Sequence, residues 1–246
     1  VSGDLRIQGG SFTLARPYAS SVGGGLILFD PARGRGTVEV RRGALHLPGA
    51  STLGIGRLLA LDGGRVYAPA AVRWAGENLR AGAELGAEGF GSELQLPALT
   101  EMRGPVDIDP IGASQWFALR AELGGLLVAP RLGPEVNGKA RLQATRHGVL
   151  RVPGVRRLFT DVRAAGIGAS FLEVATGGEL EIGPLESARG WQLHRGAGSR
   201  LEVDRLVEVR DASFKFDFGT AVFARLESAE SLGLDAVLAQ VWLPAL

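Results

Sequence analysis

Four phrases of this chain occur twice, in the same order. Gly24-Gly25-Leu26-Ile27 returns as Gly124-Gly125-Leu126-Leu127, and Gly43-Ala44-Leu45-His46-Leu47-Pro48-Gly49-Ala50 returns as Gly148-Val149-Leu150-Arg151-Val152-Pro153-Gly154-Val155. Gly54-Ile55-Gly56 returns as Gly166-Ile167-Gly168. Asp62-Gly63-Gly64-Arg65-Val66-Tyr67-Ala68-Pro69 returns loosely as Thr176-Gly177-Gly178-Glu179-Leu180-Glu181-Ile182-Gly183-Pro184. The offsets are 100, 105, 112 and 114. An offset that only grows is what loop insertions into a duplicated unit produce. A duplicated unit points to an elongated architecture whose surface, rather than one constellation of residues, carries function.

The unit reads as β. Leu5 and Ile7, Val38 and Val40, Leu45 and Leu47, Leu94 and Leu96, Leu180 and Ile182, and Leu201 and Val203 each flank a single intervening residue. Phe214-Lys215-Phe216-Asp217-Phe218 puts three aromatics on one face and a charge pair on the other. Such short alternating runs, bounded by Gly, Pro, Asp and Ser, are strands with one apolar face. Thirty-seven glycines in 246 residues mark many tight turns. The expected fold is therefore all-β: a Gly-rich antiparallel or solenoid-like elongated sheet, taco- or sandwich-shaped, built from two degenerate repeats. The first unit covers 1–105 and the second 106–246, with a seam near Thr100–Ser114, where Pro105 and Pro110 interrupt the pattern.

Two short helices are expected beside the strands. Val155, Leu158, Phe159 and Val162 fall at helical spacing between Gly154 and Gly166, and Leu234, Val237, Leu238 and Val241 form a stripe in a tail that Ser228 could cap.

Composition narrows the chemistry. With 46% hydrophobic residues, intrinsic disorder is excluded. No apolar run approaches the ~20 residues that cross a bilayer, and no charged n-region with an apolar h-region opens the chain. A net charge of +1, with acids and bases interspersed, offers no clustered basic face for nucleic acid. The absence of cysteine excludes disulfides, thiolate zinc sites and thiol catalysis.

The three histidines, His46, His147 and His194, have no Ser or Cys nucleophile arranged beside them in sequence, and Gly89-Phe90-Gly91-Ser92 lacks nucleophile-elbow spacing. Asp107 and Asp109, or Glu179 and Glu181, share a face of an extended segment but lack the further acids of a metal loop. Gly54-Ile55-Gly56 lacks the third glycine of a dinucleotide fingerprint, and Asp62-Gly63-Gly64 reads as a hairpin turn. Trp74, Trp116, Trp191 and Trp242 are too dispersed for a sugar platform. The chain reads as non-enzymatic, with no cofactor and no metal.

What remains is the apolar face itself: Val38, Val40, Leu45 and Leu47 in the first unit, Ala140, Leu142, Leu150 and Val152 in the second, and Phe214, Phe216 and Phe218 near the end. Two such faces can close on each other as a core. An incompletely closed sheet would instead leave an apolar groove for lipid or another protein. Periodicity alone does not separate the two.

The segment Gly124-Gly125-Leu126-Leu127-Val128-Ala129-Pro130-Arg131-Leu132-Gly133-Pro134-Glu135-Val136-Asn137-Gly138-Lys139-Ala140-Arg141-Leu142 resembles a recurrent phrase of the TamB/AsmA-like envelope proteins, in which a Gly-apolar strand, a Pro turn and an apolar-x-Gly opening come one after another. Gly24 to Val40 is similar but more degenerate. The resemblance implies a taco-like sheet with an apolar groove in the periplasm of a diderm bacterium. There it would pass phospholipid acyl chains to the outer membrane or support protein assembly within it, with lipid or other envelope proteins as partners. The groove would be lined by Val38, Val40, Leu45, Leu47, Leu142, Leu150, Val152, Phe214, Phe216 and Phe218. The alternatives are a structural or adhesive β-solenoid of the cell surface whose apolar face is only core, and a carbohydrate-active β-protein that uses a carboxylate pair.

Overall fold

In the computed structural model, residues 5–8, 11–13, 37–53, 56–75, 83–103, 117–160, 170–199, 201 and 203–243 are described. Among them every regular element is a strand, β1–β27 in chain order. A ten-stranded sheet contains β1 (Leu5–Gln8), β3 (Thr37–Arg41), β6 (Arg57–Leu61), β9 (Ala83–Glu88), β12 (Phe117–Glu122), β15 (Ala140–Thr145), β18 (Ser170–Ala175), β21 (Trp191–Arg195), β23 (Ser213–Phe216) and β26 (Gly233–Ala236) in that order. A seven-stranded sheet runs from β2 (Ser11–Thr13) through β4 (Ala44–His46), β7 (Arg65–Tyr67), β10 (Glu93–Gln95), β13 (Leu126–Val128) and β16 (Val149–Val152) to β19 (Glu179–Ile182).

The third position is filled first by β5 (Thr52–Leu53), β8 (Arg73–Ala75) and β11 (Glu101–Arg103). It is filled later by β14 (Glu135–Asn137), β17 (Arg157–Phe159), β20 (Ser187–Arg189), β22 (Glu208–Arg210) and β25 (Ser228–Glu230). β24 (Gly219–Val222) pairs with β27 (Ala239–Trp242). From β3 to β20 the chain visits the three sheets in rotation and then starts again one strand further along each.

All of these pairings are parallel, so the antiparallel expectation is corrected. Asp62-Gly63-Gly64 is likewise a corner between two sheets and no hairpin: β6 pairs with β3 and β9, while β7 pairs with β4 and β10. The reason lies in the corners. A one-faced alternating strand fits either sheet type, so the turn at its end decides the direction of pairing. Here the chain bends onward instead of reversing.

Two kinds of corner recur. Between the ten- and seven-stranded sheets, residues such as Arg42, Asp62, Leu123 and Thr176 take left-handed φ of 51°, 51°, 53° and 52°. Next comes a glycine held tightly against the neighbouring circuit: a Cβ on Gly64, Gly125, Gly148 or Gly178 would lie 1.9–2.3 Å from a backbone oxygen of Val40, Ala87, Ala121 or Ala144. At these four residues a Cβ has no room.

The second corner carries Pro48, Pro69, Pro97, Pro130 and Pro153. Each sits at the second place of a turn closed by an i to i+3 bond, as in Leu99 N to Leu96 O and Leu132 N to Ala129 O, both 3.1 Å. Proline supplies the required φ and removes a donor that the turn leaves without use.

The repeat is thereby re-dimensioned. Gly43 to Ala50 and Gly148 to Val155 run through β4 and β16, four circuits apart in one sheet; the match between β7 and β19 is also four circuits apart. Leu45, Val66, Leu94, Leu127, Leu150 and Leu180 are register partners in sequence, spaced 21 to 33 residues apart. The ten-stranded sheet crosses position 105 unbroken, with β9 and β12 paired along six residues. The first members of two other matches, Gly24–Ile27 and Gly54–Ile55, and the Gly166–Gly168 partner lie outside the described residues.

Both expected helices are corrected to strands. Arg157–Phe159 is β17, whose Leu158 packs inward at a strand position, and Ser228–Trp242 is β25 to β27; Val162 lies outside the described residues. The helical spacing is coincidental: Leu158 is an inward strand residue next to the buried Val155 corner, whereas Leu234, Val237 and Leu238 are exposed.

Inward residues stack into ladders. Val38, Leu58, Leu85, Leu119, Leu142, Leu172, Leu193 and Phe214 are successive register partners, and all are buried in one core shared by the sheets. Each such aliphatic side chain contributes about 1.5–3 kcal/mol by leaving water. Near the end the filling becomes aromatic: Phe214, Phe216 and Phe223 pack with centroids 5.3–6.2 Å apart.

Candidate functional site

The ten residues expected to line an apolar groove divide sharply. Val38, Val40, Leu45, Leu47, Leu142, Leu150, Val152, Phe214 and Phe216 are 0–1% exposed, packed into the common core. Phe218, 48% exposed, lies beyond the end of β23. Trp74 and Trp191 are core residues too, Trp242 is exposed, and Trp116 lies outside the described residues, as do Asp107 and Asp109. Glu179 and Glu181 project from β19 into solvent.

The outer face of the ten-stranded sheet carries the polar chemistry, in two zones. The first is an ion-pair lattice. Arg120 donates to Glu84 at 2.7 Å, Glu88 at 3.0 Å and Glu122 at 2.5 Å; Arg57 reaches Glu84 at 2.9 Å and Arg146 reaches Glu122 at 3.1 Å. Burial works against the Arg120 charge, but Glu84, by both Coulomb attraction and hydrogen bonding, and then Glu88 and Glu122 outweigh it, raising its pKa above the usual arginine value. Three arginines meet three carboxylates, so the lattice is self-neutralised and offers no net charge to a ligand.

The second zone, over β18, β21, β23 and β26, is hollow. Two outward rows run side by side. In one, Phe171, Gln192, Ser213 and Gly233 are successive register partners. Their side chains shrink at every step, from a phenyl ring to a hydrogen. In the other row, Glu173, His194, Lys215 and Asp235 all keep a polar or charged side chain. The falling row beside the standing row opens a trough of about 530 Å³, lined by Phe171, Gln192, His194, Ser213, Lys215 and Asp235 among others.

The standing row is fixed internally. His194 Nε2 lies 2.9 Å from Asp217 Oδ2, and Nδ1 lies 3.6 Å from Glu173 Oε1. Lys215 Nζ is 3.5 Å from Asp217 Oδ1. The hydrogen bond from His194, then the positive charges of His194 and Lys215, pull the Asp217 carboxyl below its ordinary value. Beneath the standing row, Arg195 turns inward on β21, donating from Nη1 to Thr220 O at 3.0 Å and from Nη2 to Phe218 O at 2.8 Å, with its guanidinium 4.9 Å from the Phe216 centroid. Burial lowers its pKa. It ties β21 to the loop after β23 and to β24.

The histidines fall in three settings. His46 is exposed beside Tyr67, edge to face at 6.2 Å, and His147 occupies a left-handed corner at φ 65°. Only His194 joins a cluster with acids. Sequence reasoning passed over Phe171, Gln192, Ser213 and Gly233, yet they recur at 21, 21 and 20 residues; the period of one circuit, applied to outward positions, would have aligned them.

Among the described residues no group of three or more His, Asp or Glu could hold a metal ion, and no helix is long and apolar enough to cross a membrane. No family model, curated protein or solved structure matches the chain.

Proposed function

We propose that this chain is a non-enzymatic structural and adhesive segment of a cell-surface β-solenoid, in which the apolar residues serve only as core and the outer faces meet the surroundings. The observation that carries the reading is the burial of nine of the ten candidate groove residues at 0–1% exposure. An acyl chain needs an apolar face open to it; here that face is covered by the neighbouring sheets. The rotation of strands through three sheets further supports a coiled, stackable scaffold, because each circuit contacts chiefly its neighbours. A periplasmic or cell-envelope setting in a diderm bacterium belongs to the same proposal and rests on the TamB/AsmA-like phrasing of residues 124–142.

Small-angle scattering on the purified chain tests the scaffold, and mass spectrometry of an organic extract tests its rival. A rod-like particle with a clean extract is expected. Co-purifying phospholipid, released by Phe218→Ser or by opening the sheets, would overturn the reading in favour of lipid transfer.

A further inference from the structure

We propose that the trough on the outer face of β18, β21, β23 and β26 is a binding site for an uncharged glycan, lying across the strands with its length along the row from Phe171 to Gly233. This deepens the adhesive half of the function proposed above, and rests on it only in requiring an outer face that meets the surroundings.

The shape comes first. A scaffold ladder gains nothing from a graded loss of side-chain volume, and most outward rows here do not show one. The row Phe171, Gln192, Ser213, Gly233 loses volume at each register step, while the adjacent row Glu173, His194, Lys215, Asp235 does not. The result is a channel with a floor at Ser213 and Gly233, an aromatic wall at one end and a polar wall along its side. Its volume of about 530 Å³ falls within the range of sites that hold small ligands.

The chemistry selects the occupant. A sugar ring has an apolar C–H face and a rim of hydroxyls that both donate and accept. Phe171 offers the phenyl surface for the first. Gln192, Ser213, Lys215 and Asp235 offer donors and acceptors in alternation for the second. Lys215 still has donors free beyond its contact with Asp217, since an ammonium carries three.

Charge excludes the competitors. Across the outer face of these strands Glu173, Asp217 and Asp235 are matched by Arg141, His194 and Lys215, so no net positive charge is offered to a uronate, sialate or phosphate. A bare cation finds no third carboxylate or imidazole within ligating reach among the described residues. A peptide strand would pair on the edge of a sheet, but three of the four strands beneath this trough are already paired on both sides.

The test is a calorimetric titration of the full chain with cellohexaose and chitohexaose, and with the hexamer of galacturonic acid as the acidic comparison. Three proteins are compared: wild type, Ser213→Arg, which fills the floor from an exposed position, and Phe171→Ala, which removes the aromatic wall. The expected result is saturable binding of a neutral hexasaccharide by wild type, weakened at least tenfold in both variants while their melting temperatures stay within a few degrees of wild type. Binding that survives Ser213→Arg unchanged would overturn the site. So would preference for the galacturonate hexamer, or no retention of either neutral sugar by wild type. A rod by scattering that ignores the sugars sinks the trough and leaves the scaffold; a compact particle that binds them does the reverse.

Discussion

The glycine corners give the sharpest quantitative prediction. In Gly148→Ala, a methyl built on the present backbone would lie 2.2 Å from the Ala121 oxygen, 2.3 Å from its carbonyl carbon and 2.5 Å from the Glu122 nitrogen. Favourable non-bonded contact begins near 3.5 Å, so the overlap exceeds ~1 Å, and every offending atom is backbone. Relief requires the corner between β15 and β16 to move off the end of β12. That motion strains the bonds from Gly148 N to Thr145 O and from Val149 N to Gly125 O, both 2.9 Å. Overpacking costs about 1–3 kcal/mol and each weakened bond about 1 kcal/mol, for a total of roughly 3–5 kcal/mol. The loss of unfolded-chain entropy on going from Gly to Ala offsets only about 0.4–1 kcal/mol.

The net loss of about 2–4.6 kcal/mol, at about 2–4 °C per kcal/mol for a chain of this size, means that Gly148→Ala should melt roughly 4–18 °C below wild type by far-UV circular dichroism. Gly91→Ala is the control. It has φ +75° but no foreign atom nearer than 3.8 Å, so only the left-handed backbone opposes it, at about 1–2 kcal/mol. If Gly148→Ala melts at or above Gly91→Ala, close approach between circuits is not what these glycines serve.

Other contacts lead to further outcomes. Leu142→Glu buries a carboxylate in the aliphatic ladder at 0% exposure and should yield unfolded, protease-sensitive protein, whereas Leu142→Ala should fold with a loss of about 2–5 kcal/mol in a denaturant titration. Ser92→Ala removes a hydroxyl that donates to Glu88 O at 2.6 Å and accepts from Gly63 N at 2.9 Å, and should cost about 1–3 kcal/mol by the same titration. Arg195→Met strands the Phe218 and Thr220 carbonyls, so hydrogen exchange should quicken in residues 213–223 before it does around β12. Because the folded pKa of Asp217 is depressed, its contribution is present above the ordinary carboxylate range and is lost as pH falls through the folded value; Asp217→Asn should flatten the fall of melting temperature in acid, and an unchanged acid profile would refute the role of the His194 bond.

The strands were legible because one-faced alternation is local: Val38 and Val40, or Leu150 and Val152, declare their inward side without help from the rest of the chain. Their partners were not. Pairing direction depends on whether a turn reverses the chain, and Gly63-Gly64 is compatible with a hairpin until the clash with Val40 is seen in space. The two duplicated phrases that lie within the described residues are register equivalents, but their period was hidden because the same corner is spelled differently at each circuit. Ser92 stands where Gly64 and Gly125 stand, and Ala68-Pro69 stands where Leu96-Pro97 stands. The tail misled for a related reason. The last circuit of short strands places Leu234, Leu238 and Val241 at helical intervals, although Leu234 and Val241 are the partners of Phe214 and Ala221 in the preceding circuit.

The same separation explains why no local motif marks the trough. A catalytic or metal signature is written along the chain, at spacings of two to five residues. This site is written across it, one residue per circuit. Inward positions are held to apolar residues by the core, and corner positions to glycine or proline by close contact and turn geometry. Outward positions answer to neither, so a graded series such as Phe171, Gln192, Ser213 and Gly233 can accumulate without harm to folding. That independence has a measurable consequence. If the proposed solenoid holds, stability is close to a sum over neighbouring circuits, so Ser213→Arg and Phe171→Ala should leave cooperativity intact, whereas Gly148→Ala should disturb it. A trough variant that lowered stability as much as a corner variant would mean that the outer row bears structural strain, and the division between scaffold and site would not hold.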